Sequence, residues 1–255
     1  MTSSMHTMLT QVKGSDGYSL ALKLDPEDRA VLEECIRDQY IDRIRQVSPE
    51  HAKWFQEHDI GDYHRNCHVL DHGNTWNKAA RILSATAVAK LRSRRFMRRL
   101  EEAFGAFDIS GESGIQKEEV YWRLVRPGMK EDVGPVHADR WFWDLGNGVT
   151  PEGVERVKIW IAVATEAGRN GLQIVPNSHT REWRWHGENR DGIRKPVFDE
   201  DPATIGLELP EFTSGQAIVF NDNLLHAGAV NQGEKTRVSV EFTMFTRPQR
   251  QVTAA

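Results

Sequence analysis

The alternation of hydrophobic and polar residues predicts that the second half of the chain, residues 118–246, is built from β-strands. Successive side chains of a strand point to opposite faces, so a half-buried strand alternates and a fully buried one is continuously apolar. Stretches of these two kinds occur at 120–126, 157–163, 217–220 and 238–245. In the stretch 157–163, valines and isoleucines share one face, and Lys158, Trp160 and Ala162 share the other.

In the first half of the chain, the apolar residues recur with the period of an α-helix instead. Asp25 followed by Pro26 and two acidic residues is a typical helix start, with an N-cap, a proline at the first helical position and negative charge in the first turn. Apolar residues then recur at helical spacing, at Leu32, Ile36, Tyr40, Ile44 and Val47. Residues 76–104 predict one or two more helices. We therefore predict a helical layer over residues 25–105, after a loose leader and a short strand at 18–24.

Composition narrows the class of protein without identifying it. The 255 residues fit one domain, 1–255, and their formal charge of −4 is too small to indicate a nucleic-acid partner. Apolar residues make up 39% of the chain, and we see no transmembrane run and no signal peptide at residues 1–13. Two cysteines predict a reducing compartment rather than a disulfide framework. We expect a cytoplasmic protein that is a monomer or a homo-oligomer.

His137 and Asp139 form an H-x-D tripeptide, which is a candidate part of a metal site. We expect the tripeptide to lie on a strand, where positions i and i+2 face the same side. One imidazole and one carboxylate then supply two-thirds of the 2-His-1-carboxylate set that binds Fe(II) and leaves coordination positions open. The tripeptide alone is weak evidence, because it also occurs by chance in surface turns.

His226 and Arg237 are the candidate partners of that tripeptide. His226 follows the apolar stretch 217–220, and Arg237 stands eleven residues later, at the start of the stretch 238–245. Two strands joined by a short loop predict a hairpin that places His226 beside Arg237. An arginine near an open metal site would anchor a carboxylate through a bidentate, charge-assisted pair.

These residues, taken with the segment N-G-L-Q-I-V-P-N-S-H from Asn170 to His179, resemble the phytanoyl-CoA dioxygenase family over roughly residues 118–246. The family usually has glycine where this chain has Asn177, a mild departure because asparagine tolerates positive φ. The resemblance implies an α+β, mainly β protein: a double-stranded β-helix (jelly roll) core at 118–246, buttressed by the helices of 25–105.

The resemblance also implies an Fe(II)- and 2-oxoglutarate-dependent dioxygenase. Fe(II) would be bound by His137, Asp139 and His226, and the distal carboxylate of 2-oxoglutarate by Arg237. Trp160 would line the 2-oxoglutarate pocket, although core packing explains it equally well, and Tyr121 and Arg123 are candidate contacts to the same cofactor. With O2, such enzymes release succinate and CO2 and usually hydroxylate an unactivated C–H bond. The intact Asp139 favours hydroxylation over halogenation and leaves desaturation open.

The substrate is the least determined part of this hypothesis. We expect residues 181–203 to form a long polar loop that serves as a substrate lid. Aromatic and polar side chains that flank the metal motif or could face it from this loop are the candidate substrate contacts: Arg140, Trp141, Trp143, Trp183 and Asn223. Rings and arginines suit a small polar or anionic metabolite, such as a sugar or a natural-product intermediate. Two alternatives stay open: a cupin-like metalloenzyme with non-redox chemistry, and a non-catalytic ligand-binding jelly roll.

Overall fold

A computed structural model describes residues 2–111, 117–190 and 192–247. The helices are α1 (Thr2–Lys13), α2 (Pro26–Val47), α3 (Ala52–Glu57), α4 (His72–Thr75), α5 (Ala85–Arg92), α6 (Arg95–Phe104) and α7 (Asp139–Asp144). The strands are β1 (Tyr18–Ser19), β2 (Phe107–Ile109), β3 (Tyr121–Val125), β4 (Glu155–Ala164), β5 (Leu172–Ile174), β6 (Trp185–Arg190), β7 (Ile193–Phe198), β8 (Ala217–Asn221), β9 (His226–Gly228) and β10 (Arg237–Thr246).

Helix α2 begins as its sequence predicts. The Asp25 side chain accepts a hydrogen bond from the Asp28 backbone N–H at 2.9 Å, and Pro26 occupies the first helical position. The apolar stripe that includes Leu32, Ile36 and Tyr40 is buried. The predicted helices of residues 76–104 are α5 and α6.

Six of the described strands form an antiparallel sheet, which we call the main sheet. Its strand order is β1-β8-β4-β10-β2, and β3 also pairs with β10. One face of β4 and β10 joins the helices in a single apolar cluster, in which Ile159 and Val240 pack with Leu32 and Leu100. The opposite face carries Trp160 and packs against β5 of a second sheet, formed by β5 and β9. Two facing antiparallel sheets with helices on one side are consistent with the expected jelly roll.

Two segments differ from the prediction. The N-terminal leader is not loose, because residues 2–13 form α1. The segment 181–203 is not an irregular loop, because β6 and β7 pair as an antiparallel hairpin, in which Trp185 faces Phe198 and Arg190 faces Ile193. Strand β6 is mostly polar and β7 mixes apolar and polar residues, so neither shows the regular alternation that predicted the other strands.

Asn177 occupies the left-handed region, with φ of 67°. The structure therefore agrees with the expectation that asparagine can stand where the family usually has glycine. Within the described residues, none of the helices combines the length and apolar character needed to cross a bilayer.

Candidate metal centre and the cavities beside it

His137 and His226 lie opposite each other in an isolated antiparallel bridge. The backbone N–H of His137 donates to the carbonyl of His226 at 3.0 Å, and that of His226 donates to the carbonyl of His137 at 2.9 Å. The two rings lie 4.3 Å apart, centroid to centroid. Two distant segments are thus joined at the very residues that the sequence selected as metal ligands.

Asp139 does not lie on a strand with His137, and this part of the prediction is wrong. The chain leaves the bridge at Ala138, and Asp139 becomes the first residue of α7. A carboxylate in the first turn of a helix is electrostatically favourable. The alternation of side chains along a strand therefore does not bring His137 and Asp139 together; the turn into α7 does.

The three side chains nevertheless converge. The Nε2 atoms of His137 and His226 each lie 3.8 Å from a carboxylate oxygen of Asp139, from Oδ1 and Oδ2 respectively. One potential ligand atom from each residue lies within 4.8 Å of the others, which makes this the metal-ligating cluster of the described residues. The spacing allows one ion to bond all three.

The hydrogen bonds around the cluster also fit a bound cation. The Nδ1 atoms of His137 and His226 lie 2.8 and 2.9 Å from the carbonyls of Pro135 and Leu224, and these contacts leave both Nε2 atoms facing Asp139. A second hydrogen bond of this kind is the usual way in which a ligating histidine is oriented. Oδ2 of Asp139 is buried without a hydrogen-bond partner. A cation between the three side chains would satisfy that oxygen.

The protonation states of the cluster suit metal binding as well. Burial lowers the pKa of His226 to about 4, and the nearby His137 acts in the same direction. Burial alone would raise the pKa of Asp139, but Lys158, followed by the two histidines, lowers it to about 2. Near neutral pH the site therefore presents a neutral His226 and an ionised carboxylate, which are the forms that ligate metals.

Lys158 and Glu241 are site residues that the sequence analysis did not select. The ammonium of Lys158 lies 3.5 Å from Oδ2 of Asp139, and Arg123 lies 3.6 Å from the Glu241 carboxylate. Burial would raise the pKa of Glu241, but Lys158 and Arg123 hold it at about 2. The signal was present in the sequence, because both charged residues interrupt strands that are otherwise apolar and β-branched.

Arg237 is buried at the start of β10, on the same side of the main sheet as Trp160. Its guanidinium carbon lies 5.7 Å from the centroid of the Trp160 ring, and one of its terminal nitrogens donates to the Gly171 carbonyl. Its Nε is buried without a hydrogen-bond partner. Burial, reinforced by the nearby Arg123, lowers the pKa of Arg237 to about 9. An incoming carboxylate would supply the missing hydrogen bond and the missing negative charge.

The predicted hairpin of His226 and Arg237 does not form. Strand β9 pairs with β5, where His226 faces Ile174, whereas β10 pairs with β2, β3 and β4. The loop between them crosses from one sheet to the other, and the buried Asn231 holds it in place. The Asn231 amide nitrogen donates to the carbonyls of Val125 and Lys235, each at 2.8 Å.

Tyr121 and Arg123 lie on β3, where their backbones face Glu241 and Ser239 of β10. Ser239, a third residue that the sequence analysis did not select, is two positions from Arg237 and therefore shares its face of the strand. Its side chain is buried.

Two cavities lie on either side of α7. The first, which we call the Asp139 cavity, has a volume of about 360 Å³, and its lining includes Asp139, Lys158, Tyr121, Arg123 and Trp143. The second, the Arg140 pocket, has a volume of about 470 Å³ and reaches none of the three metal-ligand candidates. The predicted substrate residues are divided between them, because Arg140, Trp141, Trp183 and Asn223 line the Arg140 pocket and Trp143 lines the Asp139 cavity.

Comparison with known proteins supports a single family. The model of the family described as phytanoyl-CoA dioxygenase (PhyH) matches residues 29–239. No match was found among curated protein sequences. The solved structures that the fold resembles include EctD from S. alaskensis with bound Fe, at a TM-score of 0.55 and 14% identity over 96% of this chain and 77% of that one. AviO1 from Streptomyces viridochromogenes Tue57 gives a TM-score of 0.52 and 14% identity over 95% and 94% of the two chains. At such identities these likenesses concern the fold alone.

Proposed function

Because the chain belongs to the phytanoyl-CoA dioxygenase family, we propose that it hydroxylates an unactivated C–H bond of a small polar or anionic metabolite. The family makes it an Fe(II)- and 2-oxoglutarate-dependent oxygenase, with Fe(II), 2-oxoglutarate and O2 as its cofactors. The observation that carries the proposal is the convergence of His137, Asp139 and His226, whose ligand atoms lie within 4.8 Å of one another.

In this proposal the three converging side chains hold Fe(II) on one side and leave its other coordination positions free. Bound Fe(II) and 2-oxoglutarate supply the oxidising chemistry, with release of succinate and CO2. The S. alaskensis EctD structures that share the fold contain Fe in one case and 2-oxoglutarate with 5-hydroxyectoine in another, which supports the same pairing of groups here.

The remaining roles belong to side chains of the main sheet. Arg237 binds the distal carboxylate of 2-oxoglutarate, because its buried Nε has no hydrogen-bond partner in the protein. Ser239 offers a hydroxyl on the same face of β10. Trp160 forms one wall, since its ring stands beside the Arg237 guanidinium. Tyr121 and Arg123 line the Asp139 cavity beside the metal ligands and are the further candidate contacts to 2-oxoglutarate. The hairpin β6–β7 serves as the substrate lid.

Anaerobic titration of the metal-free protein tests this assignment. Fe(II) is added first and 2-oxoglutarate second, while the weak visible absorption band of the chelate is followed. We expect the band in the wild type and its loss in His137→Ala, Asp139→Ala and His226→Ala. Iron binding without the band would contradict 2-oxoglutarate dependence and favour the non-redox metalloenzyme. Absence of both would favour the non-catalytic binding protein.

A further inference from the structure

The Asp139 cavity carries more positive than negative charge. Its lining includes five cationic side chains, of Lys78, Arg81, Arg123, Lys158 and Lys195, against three carboxylates, of Glu119, Asp139 and Glu241. A metal ion bonded to Asp139 would add to the positive side. The excess of at least two charges favours an anionic occupant.

This excess does not include the anchor assigned to 2-oxoglutarate. Arg237 is absent from the lining of the Asp139 cavity, so its charge is additional to the five. Arg123 pairs with Glu241 and Lys158 with Asp139, and Lys78 and Lys195 also have partners of their own, so the charge that matters here is the excess of the whole lining. Lys78 and Lys195 reach the cavity from two other elements, the connection between α4 and α5 and the hairpin strand β7.

Lys78 is held where a ligand inside the cavity could contact it. Its ammonium lies 5.6 Å from the centroid of the Tyr121 ring and 5.2 Å from that of Phe142, and both rings line the same cavity. Burial lowers its pKa; Glu119 opposes this effect, while Lys158 and Arg81 reinforce it. An anion beside Lys78 would stabilise the charged ammonium, because its attraction would offset both the partial burial of Lys78 and the repulsion from Lys158 and Arg81.

Aromatic side chains complete the wall. Phe142 and Trp143 of α7 face the cavity, and Ile193 and Lys195 approach it from the hairpin. A ligand with a ring or a short apolar skeleton would pack on these side chains while its acidic group reached the lysines. Asp139 lies in the same wall, so the skeleton would lie beside the metal centre.

We infer that the Asp139 cavity, rather than the Arg140 pocket, binds the substrate, and that Lys78 and Lys195 select a molecule with a carboxylate or phosphate on a ring or apolar skeleton. This inference rests on the proposed function for the identity of the metal site. It gives the hairpin β6–β7 a direct role in recognition, because Lys195 belongs to it.

Isothermal titration calorimetry with phenyl phosphate tests the inference. Benzyl alcohol, which has a ring of similar size but no charge, is the control ligand. The full chain is loaded anaerobically with Fe(II) and saturating 2-oxoglutarate. We expect phenyl phosphate to bind, and benzyl alcohol to bind at least roughly 10-fold more weakly. Lys78→Met and Lys195→Met should each weaken phenyl phosphate roughly 10- to 100-fold. Lys78→Gln and Lys195→Gln serve as second variants if a methionine variant does not fold.

Two further variants locate the ligand. Lys53→Met removes an exposed lysine that pairs with Glu57 on α3 and should leave the affinity for phenyl phosphate unchanged. Arg140→Met removes one of the two arginines that line the other pocket and should also have no effect. A loss of affinity in Arg140→Met, with none in Lys78→Met and Lys195→Met, would overturn the inference by placing the ligand in the Arg140 pocket.

Competition with 2-oxoglutarate is the other decisive outcome. If phenyl phosphate binds only when 2-oxoglutarate is absent, the two lysines contact 2-oxoglutarate rather than the substrate. This result would overturn the inference and leave the proposed function intact. No binding in either state would also overturn it. If Fe(II) and 2-oxoglutarate themselves fail to bind, the proposed function fails. The lysine variants in the metal-free protein then decide separately whether the anion site exists.

Discussion

Arg237 keeps a guanidinium in a buried position where one of its nitrogens has no protein acceptor. A carboxylate would satisfy this nitrogen, and a charged hydrogen bond of that kind contributes on the order of 2–3 kcal/mol. We predict that Arg237→Ala raises the dissociation constant of 2-oxoglutarate about a hundredfold and leaves Fe(II) affinity nearly unchanged. Calorimetric titration of the anaerobic Fe(II) protein measures both.

Arg237→Lys refines this prediction. Lysine retains the charge but not the planar fork, so its affinity for 2-oxoglutarate should fall between those of the wild type and the alanine variant. Arg43→Ala, which removes an arginine bonded to the Thr75 carbonyl, is the control. Equal affinities in the wild type and Arg237→Ala would remove Arg237 from the cofactor site.

Lys158 stands between two partly buried carboxylates, Asp139 and Glu241, and its pairing with Asp139 compensates charge before any metal binds. Removing one partner of a fully buried pair costs about 3 kcal/mol or more, and because this pair is only partly buried, we expect a smaller loss. We predict that Lys158→Met lowers the stability of the metal-free protein, and that Fe(II) restores more stability to this variant than it adds to the wild type. Thermal denaturation with and without Fe(II), under anaerobic conditions, measures the difference.

Lys158→Arg is the matched variant for this experiment, because it retains the cation and should show a smaller loss. Lys53→Met again controls for removal of a lysine in general. An equal increment from Fe(II) in Lys158→Met and the wild type would indicate that Lys158 does not compensate the charge of the metal ligand.

At the scale of elements, the loop between β9 and β10 determines how the two halves of the site are placed. The side chain of Asn231 donates to two backbone carbonyls, and its oxygen accepts from Asn170 Nδ2 and the Gly233 backbone N–H, each at 2.9 Å. We predict that Asn231→Ala destabilises the protein by about 2–4 kcal/mol, because these buried groups lose their partner. Urea denaturation measures the loss.

The same variant should affect the two cofactors differently. His226 remains bonded to His137 through the backbone, whereas Arg237 depends on the loop, so 2-oxoglutarate affinity should fall more than Fe(II) affinity. Asn231→Asp keeps the acceptor and loses the donors, and it should be intermediate in stability. Equal losses for both cofactors would point to general unfolding of the site.

Local pattern was sufficient for some elements and insufficient for others. The alternation in β4 correctly placed Lys158 and Trp160 on one face, and the N-cap at Asp25 correctly began α2. The partner of β9 could not be predicted, because sheet pairing depends on contacts that are distant in sequence. Hairpin β6–β7 also lacked alternation, although Asp191-Gly192 in the sequence is a dipeptide typical of tight hairpin turns.

The ligand set was predictable for a different reason. The residue types, their order and the resemblance of the segment 170–179 to the family indicated His137, Asp139, His226 and Arg237 as candidates without any knowledge of strand partners. Their supporting groups were not predictable, because the contacts of Lys158 and Glu241 form only when α7 packs against the main sheet and β3 pairs with β10. The expected cytoplasmic location stays a prediction.

At the scale of the whole molecule, the partly buried His72 links the helical layer to the turn that follows β3. Its Nδ1 lies 2.9 Å from the Tyr63 hydroxyl, which also accepts from Trp76 Nε1, and its Nε2 lies 3.4 Å from Asp132. Burial lowers the pKa of His72, although Asp132 opposes this effect. The folded protein therefore holds His72 neutral at pH values where the unfolded chain already binds a proton.

The sign of the resulting pH dependence follows from linkage. Below the ordinary histidine pKa of about 6.5 the unfolded state takes up more protons, so the contribution of His72 to stability is present above that pH and is lost as the pH falls. We predict that the stability difference between the wild type and His72→Gln narrows from pH 7.5 to 5.5, by at most about 1.4 kcal/mol per pH unit. Urea denaturation of the metal-free proteins at both values measures it, and a constant difference would contradict the assignment.

The backbone bridge between His137 and His226 has a consequence for biosynthesis. On the ribosome, the segment with His137 and Asp139 emerges long before His226, and until then the nascent chain offers an ion only two of its three ligands. The bridge can form only after residue 226 has emerged, and the anchor at residue 237 comes later still. With this ligand set, the complete site would therefore form only after residue 226 is available to pair with residue 137, and a product terminated before His226 would lack one of the three ligands.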